Sequence, residues 1–131
     1  MTKVFLDTNI ILDYILSRDS ATVSAEQAFQ ASIDGEIECY VAAHSLTDVF
    51  YIVRHEYNIA TRKLIINSLC SLCNIVAIDE KTIEAAINDE RFNDFEDALE
   101  MACAEKCEAN LFLTRDKKGF KNSKIKIASH L

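Results

Sequence analysis

Short β-rich apolar runs alternate along this chain with longer stretches whose apolar residues recur at helical spacing, and that alternation constrains the fold more than any other feature. Lys3 to Leu6, Ile37 to Val41, Ile75 to Ile78 and Leu111 to Thr114 read as buried strands, with Ile125 to Ile127 as a fifth. Between them lie six helical stretches. The first runs from Thr8-Asn9 to Leu16, and the second opens near Thr22 with Glu26 a turn on and closes at Gly35. The third carries Leu46, Val49, Phe50, Val53 and Tyr57 on one face, and the fourth spans Thr61 to Leu72. Lys81 to Asn88 is a short fifth, and Phe95, Ala98, Leu99, Ala102 and Cys103 form the apolar stripe of the sixth. Strands joined through helices pair in parallel, so the expected fold is α/β: a three-layer α/β/α sandwich around a central parallel sheet of four or five strands.

The chain has no proline, and Gly35 and Gly119 are its only glycines, so neither a linker nor a repeat is evident. Its 131 residues, 50% hydrophobic, suit a single domain over 1–131 with a sizeable core. No apolar run approaches the roughly 18 residues of a membrane span, and Met1-Thr2-Lys3-Val4 does not open a signal peptide. A soluble, cytoplasmic protein is expected. Five cysteines, an odd number without a secretion signal, argue against a disulfide framework. The spacings Cys70-x-x-Cys73 and Cys103-x-x-x-Cys107 invite a zinc reading. Both lie in apolar stretches read as helical, without the glycine or proline of a zinc knuckle, which favours buried free thiols.

In a parallel sheet of this kind, ligands bind beyond the carboxyl ends of the strands. Asp7 and Asp116 follow strands directly, and Asp48 and Asp97 stand near helix starts, so topology puts four acids on one rim. Gathered carboxylates push one another toward protonation, and a hard divalent cation relieves that repulsion. Metal-assisted attack on a phosphodiester is the chemistry this implies. Each acid also has a structural alternative. Asp7 suits an Asx turn capping the first helix, with Thr8 as a competing cap. Asn9 either orients Asp7 or a water, or merely starts the helix. Asp94 is the expected N-cap of the sixth helix, which leaves Asp97 as the ligand. Asp48 interrupts an apolar helix, where aspartate is unfavourable without a cap or a function, and His44 lies one turn earlier. Asp116 fits a surface turn, but Thr114 before it ends a strand with a hydroxyl on the same rim, suited to phosphate or water.

The formal net charge of -7 argues against nucleic-acid binding by bulk electrostatics. Its distribution is more informative: Arg115, Lys117, Lys118, Lys121, Lys124 and Lys126 follow one another with Asp116 the one acid among them. Such runs are commonly solvated faces. This one begins beside a candidate ligand and is placed to track a phosphate backbone.

Four segments in order, Val4-Phe5-Leu6-Asp7-Thr8-Asn9, Ser45-Leu46-Thr47-Asp48-Val49-Phe50, Asp94-Phe95-Glu96-Asp97-Ala98-Leu99 and Leu113-Thr114-Arg115-Asp116-Lys117-Lys118-Gly119-Phe120, resemble the PIN-domain family and, within it, the compact bacterial VapC-type toxins. The resemblance implies an endoribonuclease whose acidic pocket, Asp7, Asp48, Asp97 and Asp116, holds one or two Mg²⁺ or Mn²⁺ ions. Asn9 and Thr114 would orient water or phosphate, and Arg115, Lys117, Lys118 and Lys121 would neutralise RNA. An antitoxin partner and homodimerisation are implied by the resemblance alone. The chain departs from the family in two places: Asp48 stands where many members have Glu, and relatives often read Thr-Arg-Asn-x-x-Asp-Phe, so Asp116 occupies the Asn position and Gly119 the Asp position. Those departures motivate an alternative, a PIN-like module that binds RNA or a protein without cutting. Phosphoryl transfer through an aspartyl nucleophile would want a second acid two residues after Asp7, where Asn9 stands.

Overall fold

The computed structural model describes residues 1–17 and 21–131, without the side chains of Ala21 and Thr22. Five strands, β1 (Thr2–Leu6), β2 (Ile37–Ala42), β3 (Cys73–Val76), β4 (Leu111–Leu113) and β5 (Lys126–Ala128), form one sheet in the order β3-β2-β1-β4-β5. All neighbours pair in parallel, with Val4 opposite both Cys39 and Leu111. Six helices connect or flank them: α1 (Thr8–Ile15), α2 (Ala21–Ile33), α3 (Ala43–Ile52), α4 (Ile59–Leu72), α5 (Glu80–Ile87) and α6 (Phe95–Lys106). Order reverses between β1 and β4, so a crevice is expected beyond the carboxyl ends of those two strands.

Period-two alternation sorts the strand side chains into two cores. Val4, Leu6, Cys39, Val41 and Leu113 face α1, α2 and the apolar side of α4, where Ile10, Ile11, Phe29 and Leu69 meet them. Phe5, Ala42 and Phe112 point the other way, onto Met101, Cys103 and Ala104 of α6 and onto Phe120. These are the two interfaces of the expected α/β/α sandwich.

Element boundaries differ from the sequence reading at several ends, the third helix and the third strand among them. The third helix stops at Ile52 and passes into a 3₁₀ turn over Val53–His55; Tyr57 lies beyond both and donates its hydroxyl to the Ile15 carbonyl at 3.1 Å. Strand β3 begins two residues before the expected Ile75, because Cys73 already adopts extended backbone and registers against Cys39. Cys73 is therefore a strand residue, and Cys107 is the cap residue closing α6. Gly35 does follow a helix end, at φ 76°, a left-handed conformation that glycine adopts without steric cost. The side chain of Thr22, near which α2 opens, lies outside the described residues. No helix among the described residues is long and apolar enough to cross a membrane.

Phe112 is fully buried, stacked on Phe5 at 5.4 Å between ring centroids and tilted against Phe120 at 4.5 Å. Phe112→Ala should cost about 3–5 kcal/mol, read as a lower urea midpoint at unchanged slope.

Candidate active site at the sheet reversal

β1 continues its pairing one residue beyond the strand, the Asp7 N–H donating to the Leu113 carbonyl at 2.9 Å, and this carries Asp7 and Thr114 side by side to the crevice. Asp7 is the N-cap of α1 and is buried at 6% exposure. Its Oδ1 accepts from the Thr8 N–H at 2.8 Å and its Oδ2 from the Thr114 hydroxyl at 2.7 Å. Cap and rim position coincide in one residue.

Thr114 was expected to offer its hydroxyl to phosphate or water. It is instead fully buried, donating to Asp7 and accepting from the Asp116 N–H at 3.0 Å, so it joins two acids. The Asp116 carboxylate turns back over its own loop, Oδ1 accepting from the Gly119 N–H at 3.0 Å. A Cβ on residue 119 would lie 2.5 Å from Asp116 Oδ2 and 3.0 Å from its Cγ. Asp116 thus fills the space that a side chain at 119 would occupy.

Asp94 caps α6 as its sequence context suggests, accepting from the Asp97 N–H at 3.0 Å, and this sets Asp97 on the first turn facing the crevice. Burial pushes the Asp97 carboxyl up to about 6, with the charges of Asp94, Asp7 and Asp116 adding to it. Burial likewise raises Asp7, against the lowering hydrogen bonds from Thr114 and Thr8, and the charge of Asp116 adds again. Asp7, Asp97 and Asp116 therefore lie within reach of one another's field. Beside them opens a cavity of about 560 Å³, with Asp94, Asp97, Asp116, Lys118 and Lys121 in its walls.

Asp48 is placed differently. It stands with His44 and Glu96, one ligand atom of each lying within 4.8 Å of the others, and it meets the first group through Glu96, which feels both Asp48 and Asp7. Burial first, then the neighbouring Asp48, pushes Glu96 up to about 7. Burial lowers His44, only partly offset by Asp48, which favours a neutral imidazole.

Glu96 was not singled out from sequence, and neither was Glu100. Glu100 is fully buried on α6 and accepts from the hydroxyls of Thr8 and Ser45, the latter at 3.0 Å. Burial raises its carboxyl well above the usual range, and the charge of Asp7 adds to that. The signal was present: an acid standing between Leu99 and Met101, both buried, in a helix whose inner face is otherwise apolar.

Other expected contributors have protein partners. Asn9 Oδ1 accepts from the Arg115 N–H at 3.4 Å, so it braces the loop after β4. The Arg115 guanidinium pairs with buried Asp13 through Nε at 2.8 Å. Lys117 is exposed on the same turn as Lys118.

The donor set of the first group is all carboxylate oxygen, which fits a hard divalent cation. Among the described residues Arg115 is the cation that acts on Asp7, and its guanidinium is paired with Asp13. The class this defines is a parallel α/β domain with an acidic pocket at the point where strand order reverses.

The chain belongs to the PIN domain family, whose members are generally nucleases: the PIN domain model matches residues 3–118. Solved structures share the fold at low identity. A toxin-antitoxin complex from Klebsiella pneumoniae matches with a TM-score of 0.72 at 20% identity, covering 96% of each chain. VapBC2 from Rickettsia felis, bound to a DNA fragment from its promoter, gives 0.70 at 16%, covering 97% of this chain and 98% of that one. VapC20 of Mycobacterium tuberculosis, a sarcin-ricin loop cleaving toxin, gives 0.70 at 14%, covering 91% and 94%. Comparison with curated proteins finds no match.

The raised Asp97 pKa fixes a sign. The folded state holds this proton more tightly than the unfolded chain, so between pH 3.8 and about 6 native protein binds more protons and stability falls as pH rises. Without divalent metal, Asp97→Asn should melt higher than wild type above pH 6, and the difference should vanish toward pH 4. An equal melting temperature at pH 7 would contradict the strained pocket.

Proposed function

We propose that the protein is a metal-dependent endoribonuclease and the toxin of a toxin-antitoxin pair. The observation that carries this is that Asp7, Asp97 and Asp116, from three separate segments, lie within electrostatic reach of one another, with Asp97 and Asp116 in the wall of a cavity that also includes Lys118 and Lys121. Asp7, Asp97 and Asp116 would hold Mg²⁺ or Mn²⁺. A bound ion of this kind supplies a water of lowered pKa and offsets charge developing on the phosphate.

The chain's own residues do the positioning. Thr8 N–H and the Thr114 hydroxyl each hold one oxygen of Asp7, which fixes the carboxylate plane. Thr114 and the Gly119 N–H hold the loop and carboxylate of Asp116, and Asp94 holds the backbone of Asp97. Lys118 and Lys121, long and exposed, meet backbone phosphates without reading sequence. RNA as substrate is supported by family membership and by the activity carried in the name of the Mycobacterium tuberculosis neighbour.

The reading without cleavage rests on Gly119 and on Asp48, and the position of the Asp116 carboxylate over that glycine speaks for the catalytic reading. An antitoxin partner is supported by the toxin-antitoxin complexes among the neighbours and by an apolar cleft of about 540 Å³ bordered by Tyr14, Phe29, Tyr57, Leu64 and Leu72. An amphipathic segment of the partner would lie there.

Asp7→Asn should lower Mg²⁺- or Mn²⁺-dependent cleavage of a mixed RNA pool by about 100-fold or more while the fold is kept. Full activity in that variant would sink the assignment. Gly119→Ala tests Asp116 without touching a carboxylate. Calorimetric Mn²⁺ affinity should weaken by about 10-fold or more, and the same substitution in an Asp116→Ala background should change nothing further. Unchanged affinity in Gly119→Ala would remove Asp116 from the site.

A further inference from the structure

Cys39, Cys70 and Cys73 gather where α4 passes into β3, and the chemistry above uses none of them. Cys39 and Cys73 are register partners on the neighbouring parallel strands β2 and β3. Neighbouring strands run about 4.7–4.9 Å apart, inside the roughly 4.4–6.8 Å between Cα atoms that a disulfide spans. Both residues are buried in the same apolar core, so their side chains leave the sheet on one face. Both are free thiols.

Position gives each sulfur a separate part. Cys70 is exposed in the last turn of α4, three residues before Cys73, which closes that helix and opens β3. β3 is an edge strand of four residues. Cys39 lies on the next strand inward, its thiol donating to the Ala28 carbonyl of α2 at 3.6 Å. The Cys73 thiol beside it holds Cys39 below its usual range, while Cys39 and burial push Cys73 up. Cys39 is thus the member of the pair that ionises first, and the nucleophile of the two. Cys70 also acts on Cys73 through its charge, so the three sulfurs form a series from solvent to core.

We propose that Cys39 and Cys73 form an intramolecular disulfide in response to a hydroperoxide, with Cys70 as the thiol that meets the oxidant. The Cys70 sulfur attacks the peroxide, the O–O bond breaks, and a sulfenic acid and an alcohol result, or water where the oxidant is hydrogen peroxide. Cys73 then displaces the sulfenic oxygen, which leaves as water, and a Cys70–Cys73 bond forms. The Cys39 thiolate attacks the Cys73 sulfur of that bond, and Cys70 departs as a thiolate that takes up the proton Cys39 gave up. In sum, two thiols lose two electrons and two protons, and one hydroperoxide becomes alcohol and water. The product ties β3 and the end of α4 to β2. Leu69 and Leu72, in that last turn, border the apolar cleft, so the bond fixes one wall of the cleft against the sheet. The inference rests on neither metal binding nor RNA cleavage.

The test treats the reduced full chain with hydrogen peroxide in the presence of a chelator and stops the reaction in acid. Remaining thiols are alkylated, and the peptides are mapped by mass spectrometry without reduction. Wild-type protein should lose the mass of two hydrogen atoms and carry one link, Cys39 to Cys73, that dithiothreitol removes. Cys70→Ser, at an exposed position, should form the same link about 10-fold or more slowly. In Cys73→Ala, Cys39 should stay open to alkylation. Because a substitution at a buried position can unfold the chain, the wild-type map is decisive. A wild-type product in which Cys39 remains free overturns the proposal, whether a Cys70–Cys73 bond, a bond between two chains or a Cys70 sulfinic acid takes its place. An unchanged rate in Cys70→Ser overturns the part given to Cys70.

Discussion

The hydroxyl of Thr114 is the interaction on which the pocket depends. Carboxylates repel, and nothing in a parallel sheet by itself brings two of them together; here one buried O–H donates to Asp7 Oδ2 while the same oxygen accepts from the Asp116 N–H. Hydrogen bonds to charged groups contribute roughly 1.5–3 kcal/mol, enough to fix a rotamer against repulsion in a partly solvated crevice. The hydroxyl can do this only because β1 and β4 are neighbours at the point where strand order reverses. Sheet order therefore comes first, the threonine second and the acid pair third.

Beneath that pair lies a polar knot of a different kind. Thr8 begins α1, Ser45 lies in the first turn of α3 and Glu100 is inside α6, yet their side chains meet, with the Thr8 and Ser45 hydroxyls 2.7 Å apart. Three helices from distant parts of the chain are thereby fixed relative to one another directly under the crevice. A buried carboxyl costs free energy unless it is satisfied or neutral, and that cost pushes the Glu100 carboxyl well above the usual range. Such a network specifies one arrangement of the helix starts where an apolar cluster would tolerate several. The acids on those starts, Asp7 on α1, Asp48 on α3 and Asp97 on α6, inherit its precision.

Most of the frame is legible in the sequence because it rests on local periodicity. Alternating apolar runs mark β1, β2 and β4, Asp94 sits where a cap must sit, and topology alone puts Asp7 and Asp116 at one edge. What is not legible depends on approach between distant segments. Nothing near Thr114 indicates that Asp7 will accept its hydrogen bond, or that Asp13 will take Arg115 out of the basic run. Asp48 reads as a shorter acid of the same pocket until α3 and α6 are seen to bring it beside Glu96. Glu100 could have been found, since an acid flanked by buried residues in a helix is a conflict between pattern and composition, and such conflicts concentrate at functional or specifying sites.

The loop after β4 shows how one carboxylate can change its place in the sequence and keep its place in space. An acid carried on residue 119 and an acid at 116 folded back over that residue compete for the same volume, because a Cβ at 119 would sit 2.5 Å from Asp116 Oδ2. A side chain at 119 therefore makes the Asp116 carboxylate shift. Glycine at 119 removes the competitor and leaves its N–H to hold the Asp116 carboxylate, while Phe120, fully buried against Phe112, anchors the following turn. The exchange needs no change in the sheet or in Thr114, since the Asp116 N–H is already bonded there. The two positions at which the chain departs from the family pattern are thus coupled through one small volume.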